Sequence, residues 1–399
     1  MKKMLCIHYL KGNRSYKYQE EIKKIVRIIG LILIIAGITG CRNNNGNDVS
    51  NTPTPVNTGI GETADNQTTP GEEGGPESQD TGDSGETLTI QDYYPFRENT
   101  VYRYAGEGNE FASFDTYTDY TEGNRIQLRS NNGGSESVRV LELKDGELIK
   151  VLSRGECYYR ENLMEQPQEE SEILLKEPLI QGTEWTLKDN SKRYISDTDA
   201  KITTPSGSYQ ALEVTTEGDG NTTVDYYVRD VGLVKTVFTS SGSEITSSLS
   251  KIEENVPFKQ NVRFFYPDGD KDVIYSEKKE IAFDTNDVTG SRLEAAIKEI
   301  TRENYEPVLS VNTRLNSLYL NQDNVVYADF SKELVSEMNA GAGYEARILQ
   351  CIANTLGTYY GVDKVSITVE GKPYESGHIL MKKGETIDVN LDKAWDTEQ

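Results

Sequence analysis

Cys41 is the residue whose type and surroundings most directly indicate a chemical role. It follows a basic segment, an apolar run of eleven residues, Ile28–Ile38, and the small residues Thr39 and Gly40. This order is typical of a secretory signal peptide. The apolar run is too short for a membrane-spanning helix, which requires roughly 20 residues. We therefore predict that residues 1–40 are a signal peptide that is removed on export.

The four residues Ile38-Thr39-Gly40-Cys41 resemble the lipobox that lipoprotein signal peptidase cleaves, with Ile38 where Leu is usual. By this resemblance, Cys41 receives a thioether-linked diacylglycerol and becomes the mature N-terminus. Lipoproteins of this kind are stably anchored, because two acyl chains suffice where one is marginal. We therefore predict lipidation at Cys41 and a location on the outer face of the cytoplasmic membrane. The alternative is an uncleaved signal anchor in which the cysteine is coincidental.

Histidine-dependent catalysis would rest on His378, because the other histidine, His8, lies in the signal peptide. His378 ends the polar segment Tyr374-Glu375-Ser376-Gly377-His378, and no Gly-x-Ser-x-Gly turn supplies a nucleophile. An exposed loop histidine is the better interpretation. We therefore assign no catalytic residue.

A possible calcium loop begins at Asp268, Asp270 and Asp272, but the Gly and Glu that such a loop needs are replaced by Val273 and Lys279. A solvated turn between strands fits better. The chain also lacks cysteine pairs at metal-binding spacing, a phosphate-binding loop and a dinucleotide fingerprint. The sequence therefore predicts no metal and no cofactor.

The net charge is −23, and it becomes −29 when residues 1–40 are removed. Such a surface repels phosphate backbones, which argues against nucleic acid as a partner. Outside the signal peptide and the lipobox only Cys157 and Cys351 remain. An exported chain without a disulfide framework fits a Gram-positive lineage, although a single Cys157–Cys351 bridge stays open.

Four segments follow from composition and patterning. Residues 41–88 are rich in Gly, Asn, Thr, Ser, Pro and acids, which predicts a disordered acidic linker. Residues 89–256 carry many short alternating runs separated by turns, which predicts an antiparallel sandwich or open barrel. The runs include Cys157–Arg160, while Glu169–Lys176 is a weak helix candidate. Trp185 is interpreted as a core residue, with ligand contact as the alternative.

Residues 257–395 combine helical and strand-like patterns, which predict a smaller ββαββαβ domain. The whole chain is therefore expected to be α+β. Apolar residues at helical spacing predict helices over residues 290–302 and 343–360. Alternating runs on either side of Asn321-Gln322-Asp323 predict a hairpin.

The second region resembles the GerMN domain of sporulation and spore germination proteins. The resemblance rests on ordered short motifs: Tyr327-Ala328-Asp329-Phe330-Ser331, Gly341, Glu345, Ile348, Ala353-Asn354-Thr355-Leu356, Val362-Asp363-Lys364-Val365 and Val369-Glu370-Gly371-Lys372. The first region resembles a β-rich domain of exported bacterial proteins. That likeness rests on Tyr94-Pro95-Phe96, Pro178-Leu179-Ile180-Gln181-Gly182-Thr183-Glu184-Trp185, Thr204-Pro205-Ser206-Gly207-Ser208-Tyr209 and Tyr226-Tyr227-Val228-Arg229-Asp230-Val231-Gly232-Leu233-Val234.

Together these features predict a membrane-anchored lipoprotein that is not an enzyme. It would bind envelope proteins, or assemble with copies of itself, through the GerMN-like domain, with a role in sporulation or germination implied by the resemblance. The alternative is a peptidoglycan hydrolase or modifying enzyme that uses Asp or Glu. The abundance of acids prevents the sequence from nominating a catalytic pair.

Overall fold

The computed structural model describes residues 88–269, 271–300, 307–392 and 394–396. The predicted signal peptide, nearly all of the predicted linker, and Cys41 lie outside the described residues. The described residues from Thr89 onward form one compact unit, which is mostly β. Below, the first region means residues 89–256 and the second region means residues 257–395.

The first region is built on one large sheet in which all neighbouring strands are antiparallel. Across this sheet the strands run in the order β6 to β1 and then β12 back to β7. A short helix precedes them, α1 (Ile90–Tyr93). The strands are β1 (Thr100–Glu107), β2 (Phe114–Glu122), β3 (Arg125–Asn131), β4 (Glu136–Lys144), β5 (Glu147–Gly155), β6 (Glu172–Lys176), β7 (Glu184–Thr186), β8 (Lys192–Thr204), β9 (Gly207–Gly218), β10 (Asn221–Val228), β11 (Gly232–Ser240) and β12 (Ser243–Glu254).

Tight turns connect several of these strands. The two residues between β4 and β5, Asp145 and Gly146, both have positive φ, at 52° and 73°. A two-residue hairpin turn of this type matches the right-handed twist of the strands that it joins. The Asp-Gly turn signal in the sequence therefore marks a true hairpin.

The sheet curls into a near-barrel, and its edge strands β6 and β7 are joined by side chains. Trp185 Nε1 donates a hydrogen bond to the Ile173 carbonyl at 3.1 Å. Arg193 Nη1, from the neighbouring strand β8, donates to the same carbonyl at 2.7 Å. Trp185 is buried, as a core residue should be, and its indole nitrogen also satisfies an edge carbonyl.

Two local predictions for the first region are wrong. Cys157–Arg160 forms no strand but belongs to a loop between β5 and β6, and Glu172–Lys176, within the helix candidate, is strand β6. The loop is fixed by side chains rather than by strand pairing, since Arg129 donates to the carbonyls of Cys157 and Tyr159 at 2.6 and 2.7 Å. Pairing with β5 overrides the weak helical pattern of the second segment.

The second region contains two smaller sheets and three helices among the described residues. One sheet has the order β13-β14-β20, and the other has the order β15-β16-β17-β18, with β19 paired to β17. The elements are β13 (Phe258–Pro267), β14 (Ile274–Phe283), α2 (Thr289–Lys298), β15 (Leu315–Leu320), β16 (Val326–Phe330), α3 (Glu333–Ser336), α4 (Ala342–Tyr360), β17 (Lys364–Val369), β18 (Lys372–Pro373), β19 (Ile387–Asp388) and β20 (Ala394–Asp396).

The motif residues at the end of β16 hold this region together. Asp329 Oδ1 accepts hydrogen bonds from Thr368 Oγ1 at 2.6 Å and from the Gly371 N–H at 2.7 Å. Burial alone would raise the pKa of Asp329, but these bonds and one from Asn316 lower it below its ordinary value. The Asp therefore ties β16 to β17 and to the turn that follows β17.

Motif residues on α4 have a similar structural role. The Thr355 hydroxyl accepts the Phe265 N–H at 3.1 Å, and the buried Glu345 carboxylate accepts Tyr374 Oη at 2.9 Å. The Asn354 side chain bonds Asn390 through both the N–H and the C=O of that residue, at 2.9 and 2.7 Å. Several residues that carry the GerMN resemblance therefore make contacts that position α4 on the sheets.

Candidate functional site

A fully buried arginine, Arg160, joins the first region to the second. Its Nη2 donates to the carbonyls of Asp119 on β2, at 2.7 Å, and of Asp284 just beyond β14, at 3.1 Å. Its Nη1 donates to Tyr120 Oη at 2.8 Å, and its guanidinium carbon lies 4.1 Å from the centroid of that ring. The Arg160 N–H donates to Tyr359 Oη on α4 at 2.9 Å.

Arg160 shares the buried carboxylate of Asp119 with a second buried arginine, Arg129. Arg129 Nη2 lies 3.0 Å from Asp119 Oδ2, and Arg160 Nε lies 3.7 Å from Asp119 Oδ1. Arg129 Nη1 also contacts Glu136 Oε2 at 2.9 Å. Buried charges need such partners because desolvation is costly. This network fixes the loop after β5 and so determines where the next residue, Glu161, is placed.

A groove of about 760 Å³ lies beside this network. Its walls come from β2, the loop after β5, the start of α2, the end of α4 and the whole of β15. Side-chain amides are frequent along it, and its charged lining residues, Glu122 and Glu161, are both acidic. The lining residues are Tyr120, Thr121, Glu122, Glu161, Asn162, Met164, Gln166, Asn286, Val288, Thr289, Gly290, Leu315, Asn316, Ser317, Leu318, Tyr319, Leu320, Asn321, Gln322 and Tyr360.

One wall of the groove is the open edge of a sheet. Strand β15 pairs with β16 on one side and with no strand of the described chain on the other. The Asn321 N–H donates across the hairpin to the Val325 carbonyl, whereas the Leu320 N–H points the other way, to Glu161 Oε1 at 3.3 Å. Because outward and inward groups alternate along a strand, Leu318 also directs its N–H toward the groove.

Glu161 is a half-buried carboxylate whose charge is poorly compensated. Burial raises its pKa from an ordinary 4.5 to about 7, and the hydrogen bond from Leu320 and the charge of Arg154 only partly oppose that shift. Among the described residues no cationic side chain forms an ion pair with it. The site therefore suits a group that brings its own positive charge.

Tyr360, at the end of α4, supplies a second unsatisfied group. The residue is 5% exposed, and its hydroxyl is buried without a hydrogen-bond partner. Its ring lies against Tyr159, with centroids 4.9 Å apart. Burial raises the pKa of Tyr360 and the charge of Glu161 raises it further, so the hydroxyl stays neutral. Buried hydroxyls normally have partners, so an unpaired one in a groove is a candidate contact for a ligand.

Replacing Glu161 by Gln should stabilise the protein at high pH. The carboxyl is protonated in both folded and unfolded chains below pH 4.5, but between 4.5 and about 7 it ionises only in the unfolded chain. Wild-type stability should therefore fall as pH rises through this window. Allowing for solvent screening, we expect Glu161→Gln to gain about 1–2 kcal/mol at pH 8 and nothing near pH 4.5. Urea unfolding at both pH values checks this, and an equal gain at both would contradict it.

The residues singled out by the sequence lie away from the groove. His378 is exposed in the loop after β18. Cys157 and Cys351 are free and buried, and burial raises the pKa of both thiols. The Asp268 side chain accepts the Lys271 N–H at 2.9 Å, and Asp272 pairs with Arg347 at 3.2 Å. This is a turn, in which Asp270 lies outside the described residues.

Neither a metal site nor a membrane span is found in the part of the chain that the structure describes. Its His, Cys, Asp and Glu side chains include no group of three or more that could hold an ion. None of its helices is both long enough and apolar enough to cross a bilayer.

The second region is similar in sequence to a known protein family. Residues 263–375 match the family model Germane, described as sporulation and spore germination. The second region is thus similar to this family over those residues. The match begins within β13, ends in the turn after β18 and includes all of β16 and α4. No curated protein matches the chain in sequence.

Several solved structures are also partly similar to the chain. The tandem GerMN domains of the sporulation protein GerM from Bacillus subtilis are 20% identical, with 32% of this chain and 46% of that one covered, at a TM-score of 0.24. A Clostridium perfringens structure named "Putative Lipoprotein" is 21% identical, with 33% and 87% covered, at a TM-score of 0.22. A Bacteroides fragilis structure named "putative exported protein with YmcC-like fold" is 10% identical, with 41% and 99% covered, at a TM-score of 0.26.

Proposed function

We propose that this protein is a lipid-anchored, non-catalytic binding and assembly module of the cell envelope that acts in sporulation or spore germination. The signal peptide would be removed and Cys41 would carry diacylglycerol, so that an acidic linker holds residues 89–256 and the α+β domain of residues 257–395 outside the cytoplasmic membrane. Its partners would be envelope proteins or further copies of the chain.

The match of residues 263–375 to the Germane family is the observation that supports a role in sporulation or germination. The groove supports a binding role, because it joins an open strand edge to two incompletely satisfied polar groups, Glu161 and Tyr360. The basic and apolar run before Cys41 supports export and anchoring.

A genetic test addresses the proposed function directly. In the bacterium of origin, we expect deletion of the gene to lower the yield of heat-resistant spores or the rate of germination. The full-length gene should restore both, whereas the Cys41→Ala chain should not. Normal sporulation and germination in the deletion strain would contradict the proposal.

A hydrolase that acts on peptidoglycan is the second candidate, and Glu161 is the specific observation in its favour. A groove carboxyl whose pKa is about 7 could act as a general acid near neutral pH. Incubation of the soluble 89–399 fragment with purified peptidoglycan tests this. We expect no soluble fragments to be released; release that Glu161→Gln abolishes would replace the binding proposal by this one.

A further inference from the structure

We propose that the groove binds an extended, lysine-containing segment of another protein, which adds as a strand to the open edge of β15 and places its ammonium group between Glu161 and Tyr360. This inference rests on the proposed binding function and specifies the chemistry of the partner.

Strand addition follows from the geometry of β15. Its groove-facing edge offers backbone groups of Leu318 and Leu320, and an exposed edge is a template for a further strand. Helix α2 packs beside the strand from Leu315 to Leu318 through Gly290, and at the beginning of the strand the Leu315 N–H is already bonded to Glu294 Oε2 at 2.7 Å. The remaining edge is long enough for a few residues of an incoming chain.

Glu161 now occupies the place that a carbonyl of the incoming strand would take. Its Oε1 accepts the Leu320 N–H at 3.3 Å, which is a long contact. A peptide carbonyl can replace it there, and the freed carboxylate can then accept a charged donor. Exchanging one acceptor for another leaves no backbone group unsatisfied.

The charge and the hydroxyl select a basic side chain. The two charged lining residues of the groove are acidic, and the chain as a whole carries a net charge of −23. An ammonium group has three donors, so that it can bond the Glu161 carboxylate and the buried Tyr360 hydroxyl together. A lysine would thereby satisfy the unpaired oxygen of Tyr360 and balance the charge of Glu161.

Fluorescence polarisation on the soluble chain can test this with blocked pentapeptides. The peptide Thr-Val-Lys-Val-Thr should bind, whereas Thr-Val-Glu-Val-Thr and free lysine should not. Glu161→Gln should weaken binding about tenfold or more, the size of one charged contact, and Tyr360→Phe should weaken it less. Glu375→Gln, an exposed acid outside the groove, is the matched control and should change nothing.

Several results would overturn the inference. Equal binding of the Lys and Glu peptides, unchanged binding by Glu161→Gln, or displacement by free lysine would each exclude it. So would a Lys peptide that binds equally well when its alternate amides are methylated, since strand pairing needs those N–H groups. If no peptide binds but the deletion strain still fails to sporulate or germinate, the groove inference fails and the proposed function stands.

Discussion

Replacing Arg160 by Met should destabilise the protein by about 3–5 kcal/mol, the cost of removing one partner from a buried charged network. The side chain is 0% exposed, and its loss removes charged donors from the Asp119 and Asp284 carbonyls and from the Tyr120 hydroxyl, each of which keeps one neutral partner. Methionine fills much of the volume of the arginine side chain, so that the loss of stability reports the missing polar contacts rather than a cavity. Because these contacts join the two regions, we also expect the two regions of the Arg160→Met variant to unfold less cooperatively than those of the wild type.

Urea denaturation of the soluble chain, followed by circular dichroism, measures this loss. Arg103→Met is the matched control, since Arg103 forms ion pairs with Asp115 and Glu253 on the exposed face of β1. Exposed pairs contribute less than about 1 kcal/mol each. Equal losses for Arg103→Met and Arg160→Met would show that Arg160 does not hold the two regions together.

Replacing Phe330 by Ala should destabilise the second region by about 3–5 kcal/mol, because a buried aromatic side chain leaves a cavity that surrounding residues only partly fill. Phe330 ends β16, is 0% exposed and belongs to the core shared by both sheets and α4. The Asp329 bonds to β17 stay in place, so that the loss reports packing alone.

Tyr319→Ala is the control for this second substitution. Tyr319 lies on the neighbouring strand, is 44% exposed and stacks on Tyr327 with centroids 5.4 Å apart. Such a cross-strand pair is worth at most about 1 kcal/mol. A cost for Phe330→Ala as small as that of Tyr319→Ala would mean that the core does not depend on this motif residue.

The sequence is informative where local chemistry decides the structure. Asp145-Gly146 indicates a hairpin turn because Asp and Gly both tolerate positive φ, and both residues have positive φ in the structure. The apolar spacing on α4 predicts the helix that buries Leu349, Ile352 and Leu356. The segment Cys157–Arg160 is misread for the opposite reason. Its shape is set by Arg129, which is distant in sequence, and no local pattern reports such contacts.

The candidate site could not be predicted from the sequence. Glu161 and Leu320 are 159 residues apart, and Tyr360 comes from a third segment. A single sequence gives no signal that these segments meet. Glu161 is also one of 65 acidic residues, and only its burial beside an open strand edge distinguishes it from the others.

The proposed function depends on the anchoring of the chain through a lipid on Cys41. Mass spectrometry of the N-terminal peptide, from protein purified out of the membrane fraction, tests this most directly. We predict that the peptide begins at Cys41 and carries a thioether-linked diacylglycerol. A peptide that begins upstream of Cys41, or one with an unmodified cysteine, would contradict the account.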